Sequence, residues 1–226
     1  MISIAATADW RIAHPGASIG LLELSSVANT HPSLALDERK RATEARLRER
    51  YHGFTRPDFL SLPVMAAYAQ YYKRFSKTYH VQLQVESIVI KGKPLPNVSP
   101  LVDANFIAEV ESFVLTAGHD GAKLQGDVRI DVSREGEQLT QMDGTPKAIR
   151  AGDMIMRDAK GICCSILYGQ DNRSPISAET SHVLYVAYAP VGVPAKAVEA
   201  HLCAVEEHVR LASPQAVKEQ QQVVQA

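Results

Sequence analysis

The stretch Asp127-Val128-Arg129-Ile130-Asp131-Val132 marks the place where the hydrophobic pattern of the chain changes its period. Apolar and charged residues alternate here, which predicts a β-strand with one face in water. Three later runs, at 154–157, 162–168 and 183–189, are short, mostly apolar and separated by Gly, Asp, Asn and Ser. They predict further strands, in a sheet that is covered on both faces.

Upstream of this strand the spacing of apolar residues is mainly helical. A helix is predicted over 63–75, with five side chains on one face, namely Val64, Tyr68, Tyr71, Tyr72 and Phe75. Other helices are predicted over 37–50, from Pro100 to about Leu115 and over 194–211, and an early strand over 19–24. Because helices gather in the first half and strands in the second, the sequence predicts an α+β fold with helices packed on a mixed or antiparallel sheet.

The composition is that of an ordinary soluble domain. The 226 residues include 24 Lys and Arg against 25 Asp and Glu, so the formal net charge is −1, and 46% of the residues are hydrophobic. This predicts one domain over 1–226 with a full core, and a flexible tail over 213–226, where glutamine dominates. Nucleic-acid-binding proteins usually carry a basic excess, so any contact with RNA is expected to be local.

Cysteine use and the start of the chain predict the compartment. Cys163, Cys164 and Cys203 are an odd number of cysteines without metal-ligand spacing, so they predict free thiols, no structural metal and no cofactor. The first residues carry neither a basic cluster nor a long apolar run. The sequence therefore predicts a cytoplasmic protein with no membrane partner.

One motif resembles the nucleophile elbow of hydrolases. Gly16-Ala17-Ser18-Ile19-Gly20 has the Gly-x-Ser-x-Gly spacing, but that chemistry needs the serine on a turn between a strand and a following helix. A strand is predicted to follow here instead. A hydrolase that uses Ser18 is therefore a minor hypothesis.

Two polar residues lie early in the helix that begins at Pro100. A helical wheel puts Asp103 inside the apolar arc and Asn105 at its border. Asp103 either interacts with the positive end of its own helix and caps a neighbouring loop, or it lines a polar pocket together with Asn105. The spacing alone leaves both interpretations open.

Two loops are rich in residues that are common both at turns and at binding sites. The run Tyr168-Gly169-Gln170-Asp171-Asn172-Arg173-Ser174-Pro175 follows a predicted buried strand, where scaffolds often present recognition groups. Gly118-His119-Asp120-Gly121 is similar but shorter. Turn chemistry explains much of both runs without any function.

Taken in order, five segments resemble the editing module of the bacterial phenylalanyl-tRNA synthetase β subunit, and more closely the freestanding B3/B4 domain proteins of that family. The resemblance covers about residues 60–195 and is carried by Lys91-Gly92-Lys93-Pro94-Leu95-Pro96-Asn97-Val98-Ser99-Pro100-Leu101-Val102-Asp103-Ala104-Asn105, Leu124-Gln125-Gly126-Asp127-Val128-Arg129, Arg134-Glu135-Gly136-Glu137, Met142-Asp143-Gly144-Thr145 and Ala178-Glu179-Thr180-Ser181-His182-Val183-Leu184.

The resemblance implies a pocket between the Pro100 helix, the Gly126 turn and the loop after Tyr168. The substrate-binding residues that it suggests are Asp103, Asn105, His119, Asp120, Gly126, Tyr168, Gln170, Asp171, Arg173 and Ala187. It also implies that 81–90, whose spacing fits a strand or a helix, is a helix. No catalytic residue is assigned.

Two departures from the synthetase pattern concern specificity. Neutral Gln170 stands where the synthetase has a glutamate that contacts the misattached side chain, with Asp171 as a neighbouring carboxylate. The synthetase's histidine does not align cleanly with His119. Specificity for tyrosine is therefore not inherited.

The resemblance implies a tRNA-binding editing factor that hydrolyses mischarged aminoacyl-tRNA in trans. Such an enzyme mainly has to position water and stabilise the oxyanion, because an aminoacyl ester is already activated. Local positive charge near the pocket mouth is expected from five residues that are otherwise ordinary solvated cations, namely Lys73, Arg74, Lys77, Lys91 and Lys93. The alternative function is a non-catalytic module that binds a free amino acid or a similar small molecule.

Overall fold

The computed structural model describes residues 1–30 and 33–226. In chain order its elements are β1 (Ile4–Ala6), α1 (Ala8–Ala13), β2 (Ser18–Ser25), α2 (Leu34–Arg50), α3 (Arg56–Ser61), α4 (Pro63–Lys73), α5 (His80–Val89), α6 (Pro100–Ser112), β3 (Thr116–Asp120), β4 (Val128–Val132), β5 (Gln138–Thr140), β6 (Pro146–Ala148), β7 (Met154–Asp158), β8 (Gly161–Ser165), β9 (Gly169–Gln170), β10 (His182–Ala189), α7 (Ala195–Ala212) and β11 (Val217–Gln225). The α+β class predicted from the sequence is confirmed.

The strands form two main sheets, where the sequence predicts one. A five-stranded sheet has the order β1-β4-β7-β8-β9, in which β1 runs parallel to β4 and the other neighbours are antiparallel. A four-stranded antiparallel sheet has the order β11-β2-β10-β3. Strands β5 and β6 form a separate hairpin around a turn at Asp143-Gly144.

The glutamine-rich end is a strand instead of the flexible tail that its composition predicts. β11 pairs with β2 along nearly its whole length, from Val217 opposite Ser25 to Gln225 opposite Ser18. Strand β2 is almost entirely buried, so β11 satisfies a row of backbone groups that could not remain unpaired. Ser18 is itself buried within β2, which removes the nucleophile elbow.

The central helices confirm most of the periodicity argument. α4 and α6 begin at the predicted prolines, and the ambiguous segment after Tyr79 is the helix α5. Helix α6 ends before Leu115, because Phe113 adopts a left-handed conformation with φ of 62° and its N–H bonds to the Glu109 carbonyl. This early end frees the chain to enter β3.

Helix α2 packs through polar as well as apolar side chains. Its buried residues are Leu36, Lys40, Thr43, Glu44 and Leu47, whereas Ala42 and Ala45 are exposed. In the part of the chain that the structure describes, no helix is long and apolar enough to cross a membrane.

Candidate functional site

A cavity of about 300 Å³ lies among α6, β3, β10 and the segment that joins β8 to β9. Its walls are mainly apolar and include Val102, Phe106, Leu115, Ile166 and Ile176. This volume is at the small end of the range for ligand sites in proteins, so it suits a ligand of amino-acid size. A few polar side chains interrupt the apolar lining.

Asn105 is the first of these polar side chains. Its Nδ2 atom donates a hydrogen bond to the carbonyl of Thr116, at 3.2 Å, and this bond fixes which way the amide is turned. The Oδ1 atom is buried and has no hydrogen-bond partner among the described residues. Because a buried acceptor without a partner is destabilising, Asn105 is equipped to receive a donor from a ligand.

Gln170 is the second polar side chain of the lining, and its amide nitrogen, like that of Asn105, donates to backbone carbonyls. Its Nε2 atom donates to the carbonyls of Gly118 and Ser174, each at 2.9 Å. Two carbonyl partners use both amide hydrogens, so Oε1 remains as an acceptor. Nδ1 of buried His119 lies 3.0 Å from the same nitrogen. Burial lowers the pKa of His119 to about 3, so this neutral ring contacts Gln170 without forming a hydrogen bond that holds it.

Ser165 also lines the cavity, but its hydroxyl is already engaged. Ser165 Oγ donates to Asp153 Oδ2 and accepts from the N–H of Tyr168. Asp153 is fully buried and also accepts from the hydroxyl of Tyr71 at 2.7 Å. Burial raises the pKa of Asp153 to about 6, against the opposing effect of these donors. The hydrogen bonds of Asp153 with Tyr71 and Ser165 therefore connect α4 to the five-stranded sheet.

His80 is the one imidazole in the lining among the described residues. It is the first residue of α5, and its Nδ1 atom lies 3.2 Å from the hydroxyl oxygen of Tyr72. Burial of part of the ring, with a smaller contribution from Lys77, lowers the pKa of His80 below its usual value. The ring is therefore neutral at neutral pH.

A basic rim is defined as Lys77 and Lys147, which lie at the ring of Tyr168, together with Arg150, whose charge acts on Lys77. Lys77 Nζ is 4.2 Å and Lys147 Nζ 5.9 Å from the centre of this ring, which is the range of cation–π contacts. Partial burial, Lys147 and Arg150 lower the pKa of Lys77, whereas buried Asp153 raises it. Tyr168 directly precedes Gly169 and Gln170, which line the cavity, so the rim borders its mouth.

The family model of the B3/4 domain matches residues 65–216. The chain belongs to the B3/4 domain family. Among solved structures it is similar to an N-terminal fragment of the phenylalanyl-tRNA synthetase beta-subunit from Pyrococcus horikoshii, with a TM-score of 0.49 and 7% sequence identity. The similarity covers 97% of this chain and 54% of that fragment, or about half of its length. No curated protein matches the sequence.

The cavity of this B3/4 domain brings together only part of the predicted site. Asn105 and Gln170 both line it. Asp103, which precedes Asn105 on α6, does not line the cavity. Its Oδ2 atom pairs with Lys40 Nζ at 2.6 Å, and its Oδ1 atom accepts from the N–H of Val98. The bond to the N–H of Val98 is a contact of the kind expected where Asp103 caps a neighbouring loop.

Two further predicted residues, Asp171 and Arg173, are held in ion pairs outside the cavity lining. Asp171 Oδ2 is 2.8 Å from Arg173 Nε, and Arg173 also pairs with Asp158 at 3.2 Å. Asp171 Oδ1 accepts from the N–H and hydroxyl of Ser174. These contacts shape the loop that carries Gln170, so they support the site without lining it.

The remaining predicted residues also lie outside the lining. Asp120 caps the short turn Gly121–Lys123 and accepts from Thr180. Gly126 has a φ of +68° in a turn against Ala159. Ala187 is directed at the α7 side of its sheet, since a Cβ atom at Gly20 would lie 3.2 Å from the Ala187 Cβ and 2.5 Å from Val198. His119 contacts Gln170, which lines the cavity, and Tyr168 contacts Lys77 and Lys147 of the basic rim.

The predicted RNA-contact cations fall into two groups. Lys73, Arg74 and Lys77 lie at or just after the end of α4, and Arg74 covers the rings of Tyr71 and Phe75 at 5.5 Å. Lys91 and Lys93 follow the other end of α5, about 15 Å along the helix from His80. No sequence pattern indicated His80, Lys147 or Arg150, because each joins the site only through tertiary contacts.

Proposed function

We propose that this B3/4 domain binds the aminoacyl end of a mischarged tRNA in its cavity and hydrolyses the aminoacyl ester. The observation that carries the proposal is the pair of amide side chains, Asn105 and Gln170, in the lining of a small and mainly apolar cavity, each with a side-chain oxygen to which no described residue donates. An α-amino group supplies the hydrogen-bond donors that these two oxygens require. The apolar walls then suit an apolar amino-acid side chain.

The cavity favours an ester over a free amino acid. Among its described lining residues none is Lys, Arg, Asp or Glu, and its one imidazole is neutral. The carboxylate of a free amino acid would have to enter this apolar space without a cation, which is costly. An ester carbonyl carries no net charge, and its electron withdrawal makes the neighbouring amine less basic. Both properties suit a site whose polar groups are neutral.

The basic rim supports an RNA attachment for that ester. Lys77, Lys147 and Arg150 place positive charge beside the mouth, although the whole chain has a net charge of −1. Phosphates of an acceptor end that enters the cavity would pass close to these cations, which fits the expectation that RNA contact is local.

Direct attack by water is the chemistry that suits the site. Ser165 already donates its hydroxyl hydrogen to Asp153, and burial raises the pKa of the Cys164 thiol far above neutrality. Neither is therefore an activated nucleophile. The ester is intrinsically reactive, so orientation of the carbonyl and of a water molecule provides a large part of the needed acceleration.

A deacylation assay tests the proposal. The protein is incubated with a panel of tRNAs charged with apolar, polar or charged amino acids, and we expect faster hydrolysis than in buffer for at least one apolar amino acid. Val98 lies at the cavity and is exposed, so Val98→Trp should block the mouth and reduce the rate. The matched control is Val191→Trp, because Val191 is equally exposed but lies outside the lining.

Two results would contradict the proposed hydrolysis. One is a rate equal to the background for every tRNA of the panel, and the other is equal activity in Val98→Trp and wild type. The near-neutral net charge favours the alternative of a free-amino-acid binder. Calorimetry separates the two functions, since micromolar binding of a free amino acid without binding of tRNA would support the alternative.

A further inference from the structure

The placement of His80 suggests a role in the chemical step that no sequence motif indicated. His80 starts α5 and lies at the cavity where its side chain remains partly open to solvent. Asn105 and Gln170 line the same cavity and are the proposed anchors for the α-amino group. A base at this exposed position of the lining is within reach of solvent water.

The hydrogen bonds of Tyr72 fix the tautomer of this ring. Tyr72 donates its single hydroxyl hydrogen to the carbonyl of Ile166 at 2.6 Å. Its oxygen can then only accept from His80 Nδ1, so Nδ1 carries the hydrogen. This leaves a lone pair on Nε2, which has no hydrogen-bond partner among the described residues.

The surroundings of His80 keep that lone pair available. Tyr72 of α4 and Tyr79, the residue before α5, pack edge-on against the ring at 6.1 and 5.7 Å between ring centres. Lys77 is the charged group that acts on it, and both burial and this cation lower the pKa of His80. Protonation of the ring therefore requires acidic conditions.

We propose that Nε2 of His80 is the general base and then the general acid of aminoacyl-ester hydrolysis in this cavity, a role that rests on the proposed function. Nε2 takes a proton from the attacking water as the water oxygen bonds to the ester carbonyl carbon. The tetrahedral intermediate then breaks its bond to the ribose oxygen, which receives that proton from His80. The products are a free amino acid and a tRNA with its terminal hydroxyl restored.

The kinetic test compares two substitutions with a matched control. We expect His80→Gln to lower kcat about 100-fold or more, the usual contribution of a general base, with little change in KM. Tyr72→Phe removes the acceptor that fixes the tautomer, so it should lower kcat less and leave His80 in place. His52→Gln is the control, because His52 is exposed in a turn outside the cavity lining, and it should behave as wild type.

The pH profile separates a chemical role from a structural one. In the wild type, kcat should fall on the acidic side of an inflection that lies below the ordinary histidine pKa of 6.5. The small remaining rate of His80→Gln should lack this inflection. A wild type that hydrolyses esters while His80→Gln keeps both the rate and the inflection overturns the role of His80 but leaves the proposed function intact.

A measurement without turnover tests the same geometry. Nitrogen NMR of the histidine rings should show His80 with its hydrogen on Nδ1. The Nε2 signal should shift when adenosine carrying leucine through an amide bond is added. A hydrogen on Nε2, or an unchanged Nε2 signal at saturation, overturns the role of His80. A wild type without hydrolysis for any charged tRNA overturns the proposed function and the role of His80 together.

Discussion

At the residue scale, the candidate site depends on which atoms of two side-chain amides already form hydrogen bonds. Asn105 donates to Thr116 and Gln170 donates to Gly118 and Ser174, so each side chain turns its oxygen away from these backbone partners. An unpaired buried acceptor costs about 1–3 kcal/mol, so a donor that reaches such an oxygen binds favourably. Such a cost is common at functional sites and uncommon elsewhere.

The Asn105→Ala substitution tests this assignment. A hydrogen bond to a charged group contributes about 1.5–3 kcal/mol, so we expect affinity for the aminoacyl-adenosine amide to fall roughly 10- to 150-fold. Stability should change much less, because the unpaired Oδ1 is removed together with the bond to Thr116. The control is Asn172→Ala, at an exposed loop position, measured by the same calorimetric titration. Equal affinity in both variants would contradict the role of Asn105.

Asp103 shows why part of the site could not be predicted from the sequence. Its helical position correctly indicates an inward-facing carboxylate, but its partner Lys40 is 63 positions away on α2 and is itself buried. Nothing in the local pattern of α2 distinguishes Lys40 from its solvated neighbours. The same limit applies to the pair of Arg173 with Asp158 and to His80.

At the element scale, the family resemblance predicted α5, and local patterning predicted α2, α4, α6, α7 and the central strands but not α1 or α3. It did not predict that the strands divide into two sheets or that β11 exists. The sequence of β11 is mostly polar, and the strand forms because β2, buried along most of its length, needs a second neighbour. Because β2 and β11 are roughly 200 residues apart in the sequence, no local pattern indicates that they pair.

Substitutions at one position test the contribution of β11. The N–H of Ala226 donates to the carbonyl of Ala17, so alternate pairs along this antiparallel ladder are the bonded ones, and Gln222 opposite Leu21 is among them. Gln222→Pro removes that N–H and should lower the free energy of unfolding by about 1–3 kcal/mol. The exposed side chain contributes little, so Gln222→Ala should lie within about 0.5 kcal/mol of wild type. Equal urea midpoints for the two variants would contradict the pairing.

At the scale of the whole molecule, buried titratable groups make stability depend on pH in both directions. Burial lowers the pKa of His14 and of His201 to about 4 and that of His119 to about 3. The unfolded chain binds protons at these residues below pH 6.5 while the folded chain does not, so stability should rise as the pH increases from about 4 to 6.5. Glu109 acts in the opposite sense.

The Glu109→Gln variant isolates that second effect. Burial raises the pKa of Glu109 to about 8, although the N–H of Thr116 donates to it at 2.7 Å. Between pH 4.5 and about 8 the unfolded chain has lost this proton and the folded chain keeps it, so stability falls as the pH rises. We expect Glu109→Gln to lose less stability than wild type across this interval in denaturant titrations. Parallel stability curves for the two proteins would contradict the buried neutral carboxyl.

The central claim is that one small cavity receives an amino acid esterified to RNA. It is tested most directly by NMR of the side-chain amides during titration with adenosine that carries leucine through an amide bond. We predict that the amide signals of Asn105 and Gln170 shift together and saturate, while that of exposed Asn172 does not move. Saturable shifts confined to residues outside the cavity, or no shifts at all, would contradict the claim.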